Sequence, residues 1–132
     1  MPDFVKRLLP IVFLLDLLSG AAADDASPFS GVWTGTGFQG EHSWSMRVTF
    51  APEEVRIEYP SLECGGTWVP ASRNSKHEGE AFFHERLEYG HQACFADGFV
   101  RIRTTPSGID YEWSRSAGSL VEATASLRRE PN

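Results

Sequence analysis

The feature that most constrains this chain is a two-residue alternation of apolar and polar side chains, which runs from Phe29 almost to the C-terminus. The clearest stretch is Glu54–Tyr59, where Val55, Ile57 and Tyr59 alternate with charged residues. Glycine, proline or asparagine interrupts the alternation about every 8–12 residues, which is typical of an all-β sandwich or barrel. The sequence therefore predicts an all-β fold.

The alternation predicts about eight short strands. The predicted strands are Phe29–Phe38, Trp44–Phe50, Val55–Tyr59, Leu62–Val69, Glu80–Glu88, Phe99–Thr104, Asp110–Ser114 and Val121–Leu127. Most are joined by tight turns, and the polar stretch Pro70–Gly79 is the longest predicted loop. Because closure removes exposed strand edges, we expect one small antiparallel up-and-down meander that closes into a barrel.

The N-terminus is typical of a signal peptide. Lys6 and Arg7 precede the apolar run Leu8–Leu18, and small residues follow up to Ala23. The run is well short of the roughly 20 residues that span a bilayer as a helix. We therefore predict a signal peptide over residues 1–23 that is cleaved near Ala23. We predict a single domain over 24–132, which is periplasmic or secreted. An uncleaved N-terminal anchor is the alternative; after cleavage no stable membrane span is expected.

The chain has two cysteines, Cys64 and Cys94, and both lie beside strand-like segments. An even number of cysteines in an exported chain favours pairing over free thiols. We therefore predict one disulfide that ties two strands together, with Leu62, Cys64, Gly66 and Trp68 on one face of the fourth strand. The sequence has no Cys-x-x-Cys motif, so redox catalysis has little support.

The formal net charge of −6 makes the domain acidic. An acidic domain is a poor candidate for binding nucleic acid or an anionic membrane surface. A basic protein partner fits this charge, and so does a simple role in solubility. We expect no nucleic-acid partner.

Two motifs resemble those of known domains. Tyr59-Pro60-Ser61-Leu62 with Cys64-Gly65-Gly66, followed by Glu85, Cys94, Gly98 and Tyr111-Glu112-Trp113, resembles small exported bacterial β domains with a YPxLxCGG…C motif. Similar domains stand alone or form extracytoplasmic parts of larger proteins, including some serine/threonine kinases. The opening Gly31-Val32-Trp33-Thr34-Gly35 more weakly resembles lipocalin and avidin-like (calycin) barrels, a resemblance that implies that Trp33 closes one barrel end.

Aromatic residues indicate a candidate ligand site. A barrel of about eight strands is either filled by its own side chains or just wide enough for one small ligand. We predict a mouth lined by Trp44, Trp68, Tyr111 and Trp113. Glu85 shares a predicted face with Phe83 and Leu87, so it is either a ligand contact or a structural hydrogen-bonding group near a barrel end.

Two other groups of residues are weaker candidates for a functional site. His77, His84 and His91 recur every seven residues among glutamates, and Glu85, Asp97 and Glu112 offer carboxylates for glycoside hydrolysis. Metal binding or hydrolysis needs these side chains to converge, which the sequence does not indicate. We expect no metal, no cofactor and no catalytic residue.

Three functions are compatible with these sequence features. The first is a non-enzymatic exported binding module for a small apolar ligand or an envelope component. The second is a protein-interaction factor, such as an inhibitor or accessory protein of a secreted enzyme, that uses loops such as Pro70–Gly79. The third is a small hydrolase.

Overall fold

The computed structural model describes residues 28–72 and 78–131, and the described strands form one antiparallel sheet. The strands are β1 (Gly31–Gln39), β2 (His42–Phe50), β3 (Val55–Tyr59), β4 (Cys64–Pro70), β5 (Glu80–Tyr89), β6 (Asp97–Thr105), β7 (Gly108–Ser114) and β8 (Ala123–Arg129). The predicted signal peptide over residues 1–23 and residues 73–77 of the predicted loop Pro70–Gly79 lie outside the described residues.

The eight strands close into a barrel. Each strand pairs with the next along the chain, and β1 pairs with β8 to complete the ring. Gly35 shows this closure, because it lies opposite Met46 of β2 on one side and Leu127 of β8 on the other. The predicted up-and-down barrel is therefore confirmed.

The two-residue alternation decides which side chains fill the barrel. In β2, Met46 and Val48 are buried while Arg47 between them is partly exposed, and β6 repeats this pattern with Val100 and Ile102. At roughly 25 cal/mol per Å² of apolar surface removed from water, these inward rows supply most of the favourable free energy of folding. The alternation therefore places the core along the barrel axis.

One barrel end is closed by aromatic side chains. Phe50 stacks on Phe29 with ring centroids 5.6 Å apart and contacts Phe83 at 6.3 Å. Trp33 lies at this end too, where its indole N–H donates to the carbonyl of Phe29 at 2.8 Å and the Arg129 guanidinium lies 4.4 Å from its ring. Trp33 therefore lies at the closed end of the barrel.

The disulfide joins Cys64, the first residue of β4, to Cys94 in the connection between β5 and β6. The two Cα atoms are 6.5 Å apart. The predicted pairing is confirmed. It holds the β5–β6 connection against the same barrel end as the β3–β4 connection.

Two strand predictions were wrong in detail. Leu62 does not begin the fourth strand, because Pro60–Leu62 forms a 3-10 turn and Glu63 then adopts a left-handed conformation with φ of 55°. Val121 is not an inward residue of the last strand: β8 begins at Ala123, and Val121 is 48% exposed. In both places an irregular connection continues the apolar pattern beyond the strand.

No helix among the described residues has both the length and the hydropathy of a membrane span.

Candidate functional site

The barrel end opposite the aromatic closure holds a pocket of about 510 Å³. The connections β1–β2, β3–β4, β5–β6 and β7–β8 all lie at this end, which we call the mouth. The residues that line the pocket are Gln39, His42, Ser43, Trp44, Tyr59, Leu62, Glu85, Gln92, Ala93, Cys94, Phe95, Tyr111, Trp113 and Ala123. The wall is therefore mainly apolar and aromatic, and its lining includes a single carboxylate.

That carboxylate belongs to Glu85, which β5 turns into the barrel. Glu85 lies between the inward residues Phe83 and Leu87 and is only 4% exposed. A carboxylate is costly to bury unless hydrogen bonds replace the lost water. The predicted inward position of Glu85 is therefore present in the structure, and its partners have to come from other strands.

Two side chains donate hydrogen bonds to Glu85. The Tyr59 hydroxyl donates to Oε1 at 2.6 Å, and the Trp68 indole N–H donates to the same oxygen at 2.8 Å. The Trp113 indole lies close by, over Gly98, which pairs with Glu85 across β5 and β6. Because a hydroxyl and an indole N–H both donate to Oε1, this oxygen acts as an acceptor.

A second tyrosine extends this arrangement. The Tyr59 and Tyr111 hydroxyl oxygens are 3.1 Å apart. Tyr59 has one hydroxyl proton, and since it donates that proton to Glu85, Tyr111 must be the donor in the second bond. The hydroxyls therefore form a chain from Tyr111 through Tyr59 to Glu85, with every proton directed toward the carboxylate.

Burial and hydrogen bonding act on Glu85 in opposite directions. Burial raises the pKa of Glu85 above its ordinary value of 4.5, and the charge of Asp97 acts in the same sense, whereas the hydrogen bonds from Tyr59 and Trp68 and the nearby Trp113 indole act to lower the pKa. The net direction is upward. Burial also raises the pKa values of Tyr59 and Tyr111 well above 10, so both hydroxyls stay protonated at neutral pH.

The Trp113 indole is held in place by contacts on two sides. A Cβ atom at Gly98 would collide with the indole ring, so the glycine in β6 allows Trp113 to lie flat against the sheet beside Glu85. Phe95 stacks on Trp113 with centroids 5.6 Å apart, and the Arg115 guanidinium lies 4.2 Å from the Phe95 centroid. These contacts make Trp113 and Phe95 a rigid aromatic wall of the pocket.

Trp44 forms part of the facing wall. Its indole edge lies over Gly37 of β1, where any Cβ atom would collide with it. Its Nε1 atom is buried and has no hydrogen-bond partner among the described residues. Close packing against β1 therefore positions this ring.

The structure brings together four of the five predicted ligand-binding residues. Trp44, Glu85, Tyr111 and Trp113 line the pocket. Trp68 does not: it is 2% exposed and lies deeper, stacked on Tyr111 with centroids 5.8 Å apart, where it supports the pocket floor. Whether this set binds a ligand stays a prediction.

Sequence reasoning did not identify the lining residues at strand ends and in connections. Gln39 ends β1 and His42 begins β2, and Gln92 and Phe95 lie in the β5–β6 connection. The one available signal was that Phe95 follows Cys94 directly, so a disulfide at the mouth necessarily carries Phe95 there.

The weaker groupings do not converge in the described structure. Glu112 lies on the outer face of β7, where it accepts from Arg101 at 2.7 Å, while Glu85 points inward. Asp97 is exposed at the start of β6 and is not among the residues that line the pocket. His84 and His91 are both exposed, and His77 lies outside the described residues. Among the residues that the structure describes, no group of three or more His, Cys, Asp or Glu side chains is arranged to hold a metal ion.

Comparisons of this chain with protein-family models, with curated proteins and with solved structures gave no match.

Proposed function

We propose that this protein is an exported, non-enzymatic binding module whose mouth pocket takes one small, largely apolar ligand, either a free molecule or a component of the cell envelope. The observation that carries the proposal is the pocket of about 510 Å³ at the mouth. Binding sites for small molecules are concave, mostly apolar and about 300–1,000 Å³ in volume, with a few convergent polar groups. The pocket has these properties, and Glu85 supplies the convergent polar group.

A binding role is favoured over hydrolysis by the number of carboxylates. Glycoside hydrolysis uses two carboxyl groups about 5–10 Å apart across a cleft. Glu85 is the one carboxylate among the described lining residues. Glu112 is on the opposite face of the sheet, and Asp97 is exposed at the first position of β6, outside the lining. The pocket therefore offers recognition without a second catalytic carboxyl group.

Export is supported by two independent features. The N-terminal sequence with Lys6, Arg7 and the apolar run Leu8–Leu18 has the organisation of a signal peptide. The Cys64–Cys94 disulfide suits an oxidising compartment, and such bonds are rare in the cytosol. We place the protein in the periplasm or outside the cell.

The proposal is tested by blocking the pocket. Ala123 is 5% exposed and lines the pocket from β8, so Ala123→Phe projects a ring into the open volume. We expect Nile red, a neutral apolar dye, to bind the unaltered protein with one site per chain, and Ala123→Phe to weaken binding by about tenfold or more through steric exclusion.

Ala51→Phe is the matched control, because Ala51 lies exposed in the β2–β3 turn at the closed end. It should leave dye affinity and far-UV circular dichroism unchanged. If the dye does not bind, or if Ala123→Phe binds it as tightly as the unaltered protein, the proposal is wrong.

A protein-interaction role is the second candidate, and exposed apolar residues at the mouth favour it. Phe38 is 51% exposed, Leu120 87% and Val121 48%, and all three lie at this end of the barrel. Native mass spectrometry of protein purified from its own envelope separates the two functions. An added mass of a small molecule supports ligand binding, whereas an added polypeptide supports an interaction factor.

A further inference from the structure

The charge in the mouth pocket is not balanced by the protein. Two neutral side chains, Tyr59 and Trp68, donate to Glu85, and no Lys or Arg is among the described lining residues. The histidine among them, His42, is exposed at the start of β2. Arg115 lies near the rim, but it donates to Glu122 at 2.8 Å and lies over the Phe95 ring. The other charge that acts on Glu85 is Asp97, which is also acidic.

The observed hydrogen bonds leave acceptor positions on Glu85. A carboxylate has about four acceptor positions on its two oxygens. Tyr59 and Trp68 both donate to Oε1. Acceptor positions on Oε2 therefore remain, and because Glu85 is a lining residue, a donor inside the pocket can use them.

The aromatic walls suit a cation as well. Tyr59, Tyr111, Trp113 and Phe95 all line the same pocket. The face of an aromatic ring attracts a cation within about 6 Å, and the attraction increases when the cation is removed from water. A carboxylate floor with aromatic walls is therefore complementary to an ammonium group and to the apolar body attached to it.

We propose that the mouth pocket binds an amphiphilic amine, whose protonated nitrogen donates to Glu85 and whose apolar body lies between the aromatic walls. This inference rests on the proposed function, since it names the chemical class of ligand for the same pocket. The ammonium group supplies the positive charge that Glu85 lacks, and a buried carboxylate with a cationic partner is less costly than one without.

The test uses three probes of equal length that differ in the head group: n-hexylamine, 1-hexanol and hexanoate at pH 7. Titration calorimetry gives the affinities, and the indole N–H resonances of Trp113 and Trp68 report binding at the site. We expect the hexylammonium ion to bind about tenfold or more tightly than hexanol, and hexanoate to bind most weakly. The preference should persist in 1 M salt, where the Debye length is about 3 Å and attraction to the acidic surface is screened.

Glu85→Gln removes the charge and keeps the shape of the side chain. It should lower the affinity for hexylammonium by about tenfold or more while leaving hexanol within about threefold. Glu53→Gln, in the exposed β2–β3 turn at the closed end, changes net charge equally and should alter neither affinity. The probe series on the unaltered protein remains decisive if Glu85→Gln is unstable.

The outcomes separate this inference from the proposed function. If hexanol or hexanoate binds as tightly as hexylammonium, the pocket binds ligands but Glu85 does not select a cation, and the inference alone is wrong. The inference alone is also wrong if the preference for hexylammonium disappears in 1 M salt, or if it persists in Glu85→Gln. If no probe binds and Nile red does not bind either, the proposed function fails and the inference fails with it.

Discussion

Glu85 is the residue on which the proposed site depends, and its protonation links the pocket to folding stability. Burial raises the pKa of Glu85 above 4.5, so the folded state binds its proton more tightly than the unfolded state does. Between pH 4.5 and the higher pKa of the folded state, the folded protein therefore binds more protons. By linkage, the free energy of unfolding falls as pH rises through this window, and Glu85 contributes no slope below it.

Glu85→Gln should remove this slope. We expect the stability of the unaltered protein, measured relative to Glu85→Gln by urea unfolding, to decrease as pH is raised from 4.5 and then to level off above the pKa of the folded state. Glu53→Gln controls for the loss of one negative charge. A relative stability that rises with pH across the same window would mean that the hydrogen bonds to Glu85 outweigh burial.

The inward position of Glu85 was predictable, whereas its partners were not. Alternation along β5 puts Glu85 on the same face as Phe83 and Leu87, and a single strand is enough for that inference. Tyr59, Trp68 and Trp113 come from three other strands, and their meeting around Glu85 depends on the registers of those strands. A local pattern carries no information on register across a closed barrel, so the contacts of these residues with Glu85 were not evident.

At the level of the strands, regular stretches were predicted well and irregular ones were not. The strands with long alternation, such as β2 and β3, have nearly the predicted bounds. Leu62 and Val121 were misplaced because an apolar residue in a turn continues the alternation by chance. Pro60 begins the 3-10 turn and Glu63 ends it in a left-handed conformation, and these backbone features override the side-chain pattern.

The contact between β4 and β5 shows why a glycine pair follows Cys64. Gly66 lies opposite Leu87 and Gly65 opposite Tyr89, so Glu88 is an extra residue on β5, as in a β-bulge. A Cβ atom at Gly66 would collide with the backbone carbonyl of Arg86, which cannot rotate away. The glycines therefore allow the two strands to approach closely beside the disulfide.

Gly66→Ala should be destabilising for this reason. Forcing a methyl group into a closely packed backbone contact costs about 1–3 kcal/mol or more. Urea unfolding of the variant measures the cost. Thr67→Ala, on the neighbouring partly exposed position of the same strand, should cost less than about 1 kcal/mol, since its hydroxyl makes one 3.4 Å contact with Glu88. Equal stability of Gly66→Ala and the unaltered protein would exclude the proposed backbone crowding.

For the whole molecule, barrel closure was predictable but the difference between its two ends was not. Eight short alternating strands with tight turns favour a closed barrel, because closure removes both exposed edges of the sheet. Phe29, Phe50 and Phe83 fill one end, whereas Phe95 and Trp113 stand at the side of the other and leave an opening. That distinction depends on side-chain directions at the connections, which have no periodic signal.

The disulfide acts on the molecule as a whole, because it restricts the unfolded chain and also holds one wall of the mouth. Cys64 and Cys94 are 30 residues apart, and closing a loop of this length stabilises the folded state by about 3–4 kcal/mol in the chain-entropy model. That is a large part of the roughly 5–15 kcal/mol typical of a small domain. Backbone hydrogen bonds, such as Ala93 N–H to Gly90 and Leu87 N–H to Ala96, also hold the described stretch Gly90–Ala96.

The double variant Cys64→Ala with Cys94→Ala should therefore remain folded at low temperature but unfold at lower urea concentration, with a loss of about 3–4 kcal/mol. Affinity for Nile red should also fall, because Phe95 follows Cys94 and its stacking on Trp113 loses an anchor. Removing the Phe95 ring alone by Phe95→Ala separates the two effects: it should weaken dye binding with little change in stability, since Phe95 is 48% exposed. Unchanged dye affinity in the double variant would show that the mouth wall is held by the backbone hydrogen bonds, and the disulfide would then serve stability alone.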